Sequence, residues 1–376
     1  MSNQDFVRSL PSSAGFASRG QLLGVNIDPW LLVTLICLVV YGLIVLFSAL
    51  EQNRELFTNQ VLRMGMGFIA LLVAAQLKPR LYLRWTPVIY LLGVALLVLV
   101  LLAGVKVKGS QRWLEIPGVM RFQPSELMKI AVPMMVAWYF HERTIPPSFK
   151  DVCVALAIIA LPAGLTVVQP DLGTGILLAS AGLAVVVLAG VYWRWILYAV
   201  LAAAVAAPGV WFVLQPYQRD RITTLFDPQS DPLGAGWNII QALTAIGSGG
   251  IFGKGLFQGT QSHLEFLPES QTDFIIAVIG EELGFVGVLG LLALYLMVIG
   301  RSLYIASQAQ QTFGRLLAGA LTLTFFVYVF VNIAMVCGLL PVVGVPLPLV
   351  SYGGTSAITL MASFGMIMAM RTHSAW

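Results

Sequence analysis

Residues 29–50 read Pro29-Trp-Leu-Leu-Val-Thr-Leu-Ile-Cys-Leu-Val-Val-Tyr-Gly-Leu-Ile-Val-Leu-Phe-Ser-Ala-Leu50, a run without a single charge. An α-helix rises about 1.5 Å per residue, so a run of this length spans the roughly 30 Å of a bilayer's hydrocarbon. Nine more such runs follow, at 60–77, 86–105, 124–141, 151–168, 171–190, 193–214, 273–300, 313–338 and 349–371. The expected fold is an all-α integral membrane bundle of about ten transmembrane helices, with a large external loop, 215–272, between helices 7 and 8. One membrane domain over 29–371 is flanked by cytoplasmic tails at 1–28 and 372–376.

Composition agrees. The 376-residue chain is 58% hydrophobic and 10% charged, against about 25% charged for soluble domains. A polar N-terminus followed by a full-length apolar run predicts no cleaved signal. Cys37, Cys153 and Cys337 fall inside predicted spans without metal or disulfide spacing, and read as packing residues. A net charge of +4 gives no reason to expect a nucleic-acid role.

Ten spans put both termini on one side. With that side cytoplasmic, the inner segments carry Arg8, Arg19, Lys78, Arg80, Arg84, Arg143, Lys150, Arg194, Arg301, Arg315 and Arg371. The outer loops carry Arg54, Lys106, Lys108, Arg112, Arg121, Arg219, Arg221 and Lys254. Eleven against eight is a weak inside bias, and all the outer cations but Arg54 sit in two loops, 106–123 and 215–272. Positive charge gathered outside against the usual rule points to an anionic ligand; the plainer reading is solvated loop charge or contact with lipid headgroups. Arg63, inside its span, reads as a cation that snorkels to the interface.

The segment Arg121-Phe-Gln-Pro124-Ser-Glu126-Leu-Met-Lys129 starts a helix with Pro in its first turn and Glu126 where the helix dipole favours it. Glu126 and Lys129 share a face and can pair. Such a pair near bilayer depth is either functional or a structural tie between helices. Gln169-Pro-Asp171-Leu-Gly-Thr-Gly175 breaks two spans; Asp171 reads as a helix N-cap, or the turn offers N–H groups to an anion.

In the long loop, Gly247, Gly249, Gly250, Gly253 and Gly255 surround Lys254, as a backbone approaching a phosphate would require. A re-entrant loop packing the bundle fits equally well. The loop ends in Phe266-Leu-Pro-Glu269-Ser-Gln-Thr-Asp273-Phe274; Glu269 and Asp273 share a face if Pro268 starts the helix. Glu281 and Glu282 then lie deeper, so these acids form either a cation relay or one external base plus a structural pair. An aspartate at a helix start stays ionised, as a base or metal ligand must be. Finally, Gly338-Leu-Leu-Pro341-Val-Val-Gly344-Val-Pro346-Leu-Pro348-Leu-Val-Ser351-Tyr352-Gly353-Gly354-Thr355-Ser356 is broken helix at membrane depth, tolerated where it is buried or lines a cavity.

These motifs closely resemble the SEDS family (shape, elongation, division and sporulation) over nearly all ten spans. Within it, Leu340-Pro-Val-Val-Gly-Val-Pro-Leu-Pro348 resembles the rod-shape branch, since the division branch typically carries Pro-Thr-Lys-Gly-Leu-Thr there. The resemblance implies a multi-pass protein of the bacterial cytoplasmic (inner) membrane, a glycosyltransferase polymerising the peptidoglycan precursor lipid II on the external, periplasmic face. It implies a crosslinking partner, a class B penicillin-binding protein. The family's essential aspartate falls on Asp273, and its Glu/Lys pair on Glu126 and Lys129.

On this reading Asp273 is the base, or binds a divalent cation (magnesium or manganese) that activates the sugar hydroxyl. Arg112, Arg219, Arg221 and Lys254 grip phosphates, and Glu269 and Ser351 join the candidate substrate contacts. A lipid II flippase is the main rival and a recruiting scaffold the third class. Charge concentrated on the external half favours the enzyme over a transporter, which needs polar groups across the membrane.

Overall fold

The computed structural model describes residues 26–107, 110–116, 120–230, 234–260 and 270–372. Nine of the ten expected spans fall on one helix each: α1 (Pro29–Ala49), α2 (Arg54–Gln76), α3 (Pro79–Ala103), α4 (Pro124–Phe140), α5 (Phe149–Val168), α6 (Leu172–Leu188), α7 (Trp193–Val213), α12 (Thr312–Val336) and α13 (Thr355–Thr372). The expected span 273–300 is instead two helices, α10 (Ile275–Glu282) and α11 (Gly284–Gln308), broken where Gly284 takes a φ of 67°. Two more, α8 (Pro216–Phe226) and α9 (Ala235–Gly249), lie in the long loop. Among the described residues six helices are long and apolar enough to cross a membrane; α6, α7 and α13 are shorter apolar helices.

Segment 106–123, expected as a loop, contains a small antiparallel sheet. Strands β1 (Val105–Val107), β2 (Ser110–Ile116) and β3 (Met120–Phe122) run in the order β1-β2-β3, pairing Val107 with Ser110 and Ile116 with Met120.

Helix α12 is the hub: it packs on α4, α6, α11 and α13, and is the most buried of the six long helices. Helices α2 and α13 pack closely. There a Cβ on Gly365 would lie 2.3 Å from the Leu71 carbonyl oxygen, so only glycine permits the backbones to meet. Outward faces stay apolar, with Leu91 on α3 and Leu296 on α11 about two-thirds exposed (65% and 66%), as helices bathed in lipid chains require. The three cysteines are exposed, so they do not pack the core as expected. Helix α7 is exposed along most of its length and stands at the bundle's margin.

The two ends of the bundle are fixed by polar contacts. At one end Asp28 caps α1, accepting from the Leu31 N–H at 2.9 Å, while Arg301 donates to both its oxygens at 3.0 and 2.7 Å and Arg371 also donates. The start of α1 and the ends of α11 and α13 therefore share one face, as ten spans demand. At the other end Ser48, near the end of α1, donates to Glu282 at 2.7 Å.

Asp28 is 2% exposed. Burial alone would raise its carboxyl, but the hydrogen bonds from Arg301 and Leu31 and the charges of Arg301 and Arg371 hold it below the ordinary 3.8. A carboxyl lowered on folding contributes stability above its unfolded pKa, and that contribution is lost as pH falls through the folded value. The detergent-solubilised protein should therefore lose melting temperature on acidification below about pH 4. Asp28→Asn should cost about 1.5–3 kcal/mol at neutral pH and flatten that acid dependence. A variant melting like the parent at both pH values would show that the clamp contributes nothing.

Candidate active site

Between the expected external ends of the helices lies a cavity of about 440 Å³, within the size range of ligand sites. Its walls come from Arg112 and Trp113 on β2, Glu126 and Lys129 on α4, Arg221 on α8, Asp273, Tyr328 on α12, and the broken stretches 343–346 and 352–356. Three cations and two carboxylates thus share one chamber, an arrangement suited to a polyanion.

Asp273 sits in the turn just before α10, whose N-cap is Phe274. The helix begins at Ile275 and not at Pro268, so Asp273 precedes it by two residues. Its backbone carbonyl accepts from Asn332 Nδ2 at 2.9 Å, and the same amide donates to the Val345 carbonyl at 2.6 Å. Asn332 is completely buried and so ties the turn to the broken stretch. The Tyr352 N–H donates to the Gln271 carbonyl at 2.8 Å, and a Cβ on Gly344 would come 3.5 Å from Asp273 Oδ2. The backbone around this carboxylate is held from two sides.

Elsewhere in the lining Lys129 Nζ donates to Glu126 Oε1 at 2.7 Å, and its ammonium stands 4.6 Å from the centre of the Tyr328 ring. Thr359 donates to the other Glu126 oxygen at 3.3 Å. At the rim Arg112 bonds Asp171 at 3.1 Å, while Asp171 also caps α6 by accepting from the Thr174 N–H. The N-cap role expected of Asp171 is present, and one oxygen remains to orient Arg112 toward the cavity from the sheet.

Other candidates lie elsewhere. Arg219 donates to the Phe212 carbonyl at 2.9 Å, outside the cavity lining. Lys254 also lies outside it, donating to Glu281 at 2.7 Å and to Thr260 at 2.8 Å. Ser351 is buried; its hydroxyl accepts from the Leu347 N–H at 2.9 Å and its carbonyl from Gln60 at 3.3 Å. It shapes the broken stretch whose next residues line the chamber. Glu269, Lys108 and His263 lie outside the described residues. Glu281 and Glu282 do not continue a file of acids into the membrane: they pair with Lys254 and Ser48 at the external end of α1. Arg63 stacks over the Tyr352 ring at 5.0 Å.

Asn332, Tyr328 and Gln60 are not among the residues that the sequence motifs single out. Asn332 carries a signal, as a lone amide in the apolar run Phe330-Val-Asn332-Ile-Ala, because a polar group at membrane depth needs a reason. Gln60 donates to the Ser351 carbonyl and accepts from the Gly353 N–H. Only the fold shows that it props the cavity's broken wall.

Residues 29–375 match the family model FTSW_RODA_SPOVE, described as cell cycle protein. The chain is 53% identical over 350 residues to the peptidoglycan glycosyltransferase MrdB of Escherichia coli K12, covering 93% of this chain and 94% of that one. It is 35% identical to the probable peptidoglycan glycosyltransferase FtsW of Trichlorobacter lovleyi, covering 91% and 92%. Among solved structures it superposes with a TM-score of 0.80 and 30% identity on a chain from a study of polymerization and crosslinking by a peptidoglycan synthase complex, covering 91% and 96%. The Thermus thermophilus rod shape determining protein RodA gives 0.70 and 26%, covering 92% and 97%.

Proposed function

This chain belongs to the FtsW, RodA and SpoVE family of cell cycle proteins, and from that premise we propose that it is a peptidoglycan glycosyltransferase with Asp273 as its base. It polymerises lipid II into glycan strands at the external face of the bacterial inner membrane, and undecaprenyl pyrophosphate leaves. The observation that carries the assignment of the base is that Asp273 shares a single chamber with Arg112, Lys129 and Arg221, while the chamber's other carboxylate, Glu126, is paired with Lys129.

The chemistry needs little more. The 4-hydroxyl of one lipid II attacks C1 of the other; the new C1–O bond forms as the C1–O–phosphate bond breaks. Asp273 takes the hydroxyl proton. The departing diphosphate is already a stable anion, so it needs cations and not an acid. Arg112, Arg221 and Lys129 are placed to supply them. The crosslinking partner is a class B penicillin-binding protein, which takes up the glycan as it forms.

Among the described residues no three His, Cys, Asp or Glu side chains group to hold a metal. A divalent cation (magnesium or manganese) at Asp273 would therefore share that carboxylate with diphosphate oxygens and water, as Mg²⁺ commonly does. Bound there, it would add positive charge beside the leaving group.

Purified chain and partner, incubated with lipid II, should yield glycan polymer, and the chain alone less. Lipid II crossing a vesicle bilayer without polymer would instead make it a transporter. EDTA addition decides the metal: an undiminished rate removes it from the proposal.

A further inference from the structure

Lys254 and Glu281 are left without a part in the chemistry above, yet they are tied into a dense set of hydrogen bonds outside the cavity. Glu281 is wholly buried. Its Oε1 accepts from Lys254 Nζ at 2.7 Å, from the Thr260 N–H at 2.7 Å and from the Thr260 hydroxyl at 3.1 Å. The backbone repeats the connection: Lys254 N–H donates to the Glu281 carbonyl at 3.0 Å and Gly255 N–H to that of Glu282 at 2.9 Å. Phe285 and Val286 N–H groups return bonds to the Gly250 and Ile251 carbonyls at 3.0 and 3.1 Å. The loop from 249 to 260 is thus strapped across the break between α10 and α11.

Contact between the two backbones is as close as chemistry permits. A Cβ on Gly249 would lie 1.9 Å from the Gly280 carbonyl oxygen, and one on Gly253 2.2 Å from that of Glu282. Every residue of α10 is buried, so the helix has no free face on which to shift. Its leading end follows Asp273, whose carbonyl Asn332 holds; Glu281 is in its last turn.

We propose that the Lys254–Glu281 ion pair is a positioning latch, which fixes the seat of α10 and thereby aims the Asp273 carboxylate into the cavity. A buried carboxylate held by a lysine that is itself 27% exposed is a poor way to gain stability alone, since well-packed apolar residues usually serve as well or better. What an ion pair gives in addition is directional registry, and the end of a short helix that directly follows the base is where registry matters. Lys254 and Glu281 touch no substrate on this account. The inference rests on reading Asp273 as the base.

Steady-state polymerisation by the full chain with its partner tests it. Lys254→Met and Glu281→Gln should lower kcat by about 10- to 100-fold, as small misplacements of a reacting group do, with KM for lipid II within twofold of the parent. Lys254→Arg should recover most of the loss. The double variant Lys254→Met/Glu281→Gln leaves no charge unpaired and keeps a side-chain oxygen for the Thr260 N–H and hydroxyl, so it should melt close to the parent while kcat stays at least tenfold down. A double variant of full activity overturns the latch, and so does a raised KM at unchanged kcat, which would make Lys254 a substrate contact. If Asp273→Asn still polymerises at the parental rate, the base reading itself has failed and the latch with it. An inactive Asp273→Asn beside a fully active double variant removes the latch alone.

Discussion

Asp273→Asn abolishes polymerisation while leaving the protein folded: kcat falls by about 10²–10⁴-fold, the usual contribution of a general base. Asparagine has the aspartate's shape, so the change is confined to charge and basicity. Two contacts that seat the turn are backbone ones, from Asn332 to the Asp273 carbonyl and from Tyr352 to the Gln271 carbonyl, and the substitution keeps both. Melting temperature should therefore move little. Lipid II affinity should hold or improve, because the variant removes a negative charge from a chamber that receives diphosphates. Turnover above a tenth of the parental rate, measured as glycan polymer from purified protein and partner, would end the assignment of the base. Asp273→Glu is the informative companion. It retains the carboxylate but pushes it about one methylene further, and a partial loss separates position from charge.

Much of this architecture is legible in the amino-acid order alone. Length and apolarity locate the helices, because a run such as 29–50 has no other stable home. The gathering of the external cations in two loops and the aspartate Asp273 beside a helix start point to the chamber's chemistry. The remainder is decided by tertiary contact. Gly284, in the run Glu281-Glu-Leu-Gly284-Phe, looks like a tolerated helix glycine, and its positive φ arises only because the 250–255 backbone crosses there. Lys254 among glycines has the look of a phosphate cradle. Its partner Glu281 lies 27 residues on, beyond the reach of any local pattern. The sheet at 105–122 is more accessible: Val105-Lys-Val107, then Gly109-Ser110 and Trp113-Leu-Glu-Ile116, carries strand alternation and a turn. The density of charge that marks the segment as a loop masks it. The cysteines show the converse limit, since composition cannot say which face of an all-apolar helix meets lipid and which meets protein.

Lys129→Met has the other large effect, and it is first an effect on stability. The Lys129 and Glu126 side chains are only 12% and 8% exposed and meet at 2.7 Å. Removing one partner of a buried pair leaves an uncompensated charge and costs about 3–5 kcal/mol; the lost contact with the Tyr328 ring adds about 1–2 kcal/mol. The single variant should melt far below the parent or fail to accumulate, and by itself it says nothing about catalysis. The double variant Lys129→Met/Glu126→Leu removes both charges, and most of the lost stability should return. If the pair only ties α4 to its neighbours, activity returns too. If Lys129 grips the lipid diphosphate, KM for lipid II stays raised by about tenfold or more, since one charge-assisted hydrogen bond to a charged group is worth about 1.5–3 kcal/mol. That outcome differs in kind from the one expected at Lys254, where kcat falls and KM holds. The two ion pairs share an N···O distance of 2.7 Å, and opposite kinetic signatures follow if one faces the substrate and the other the helix that follows the base.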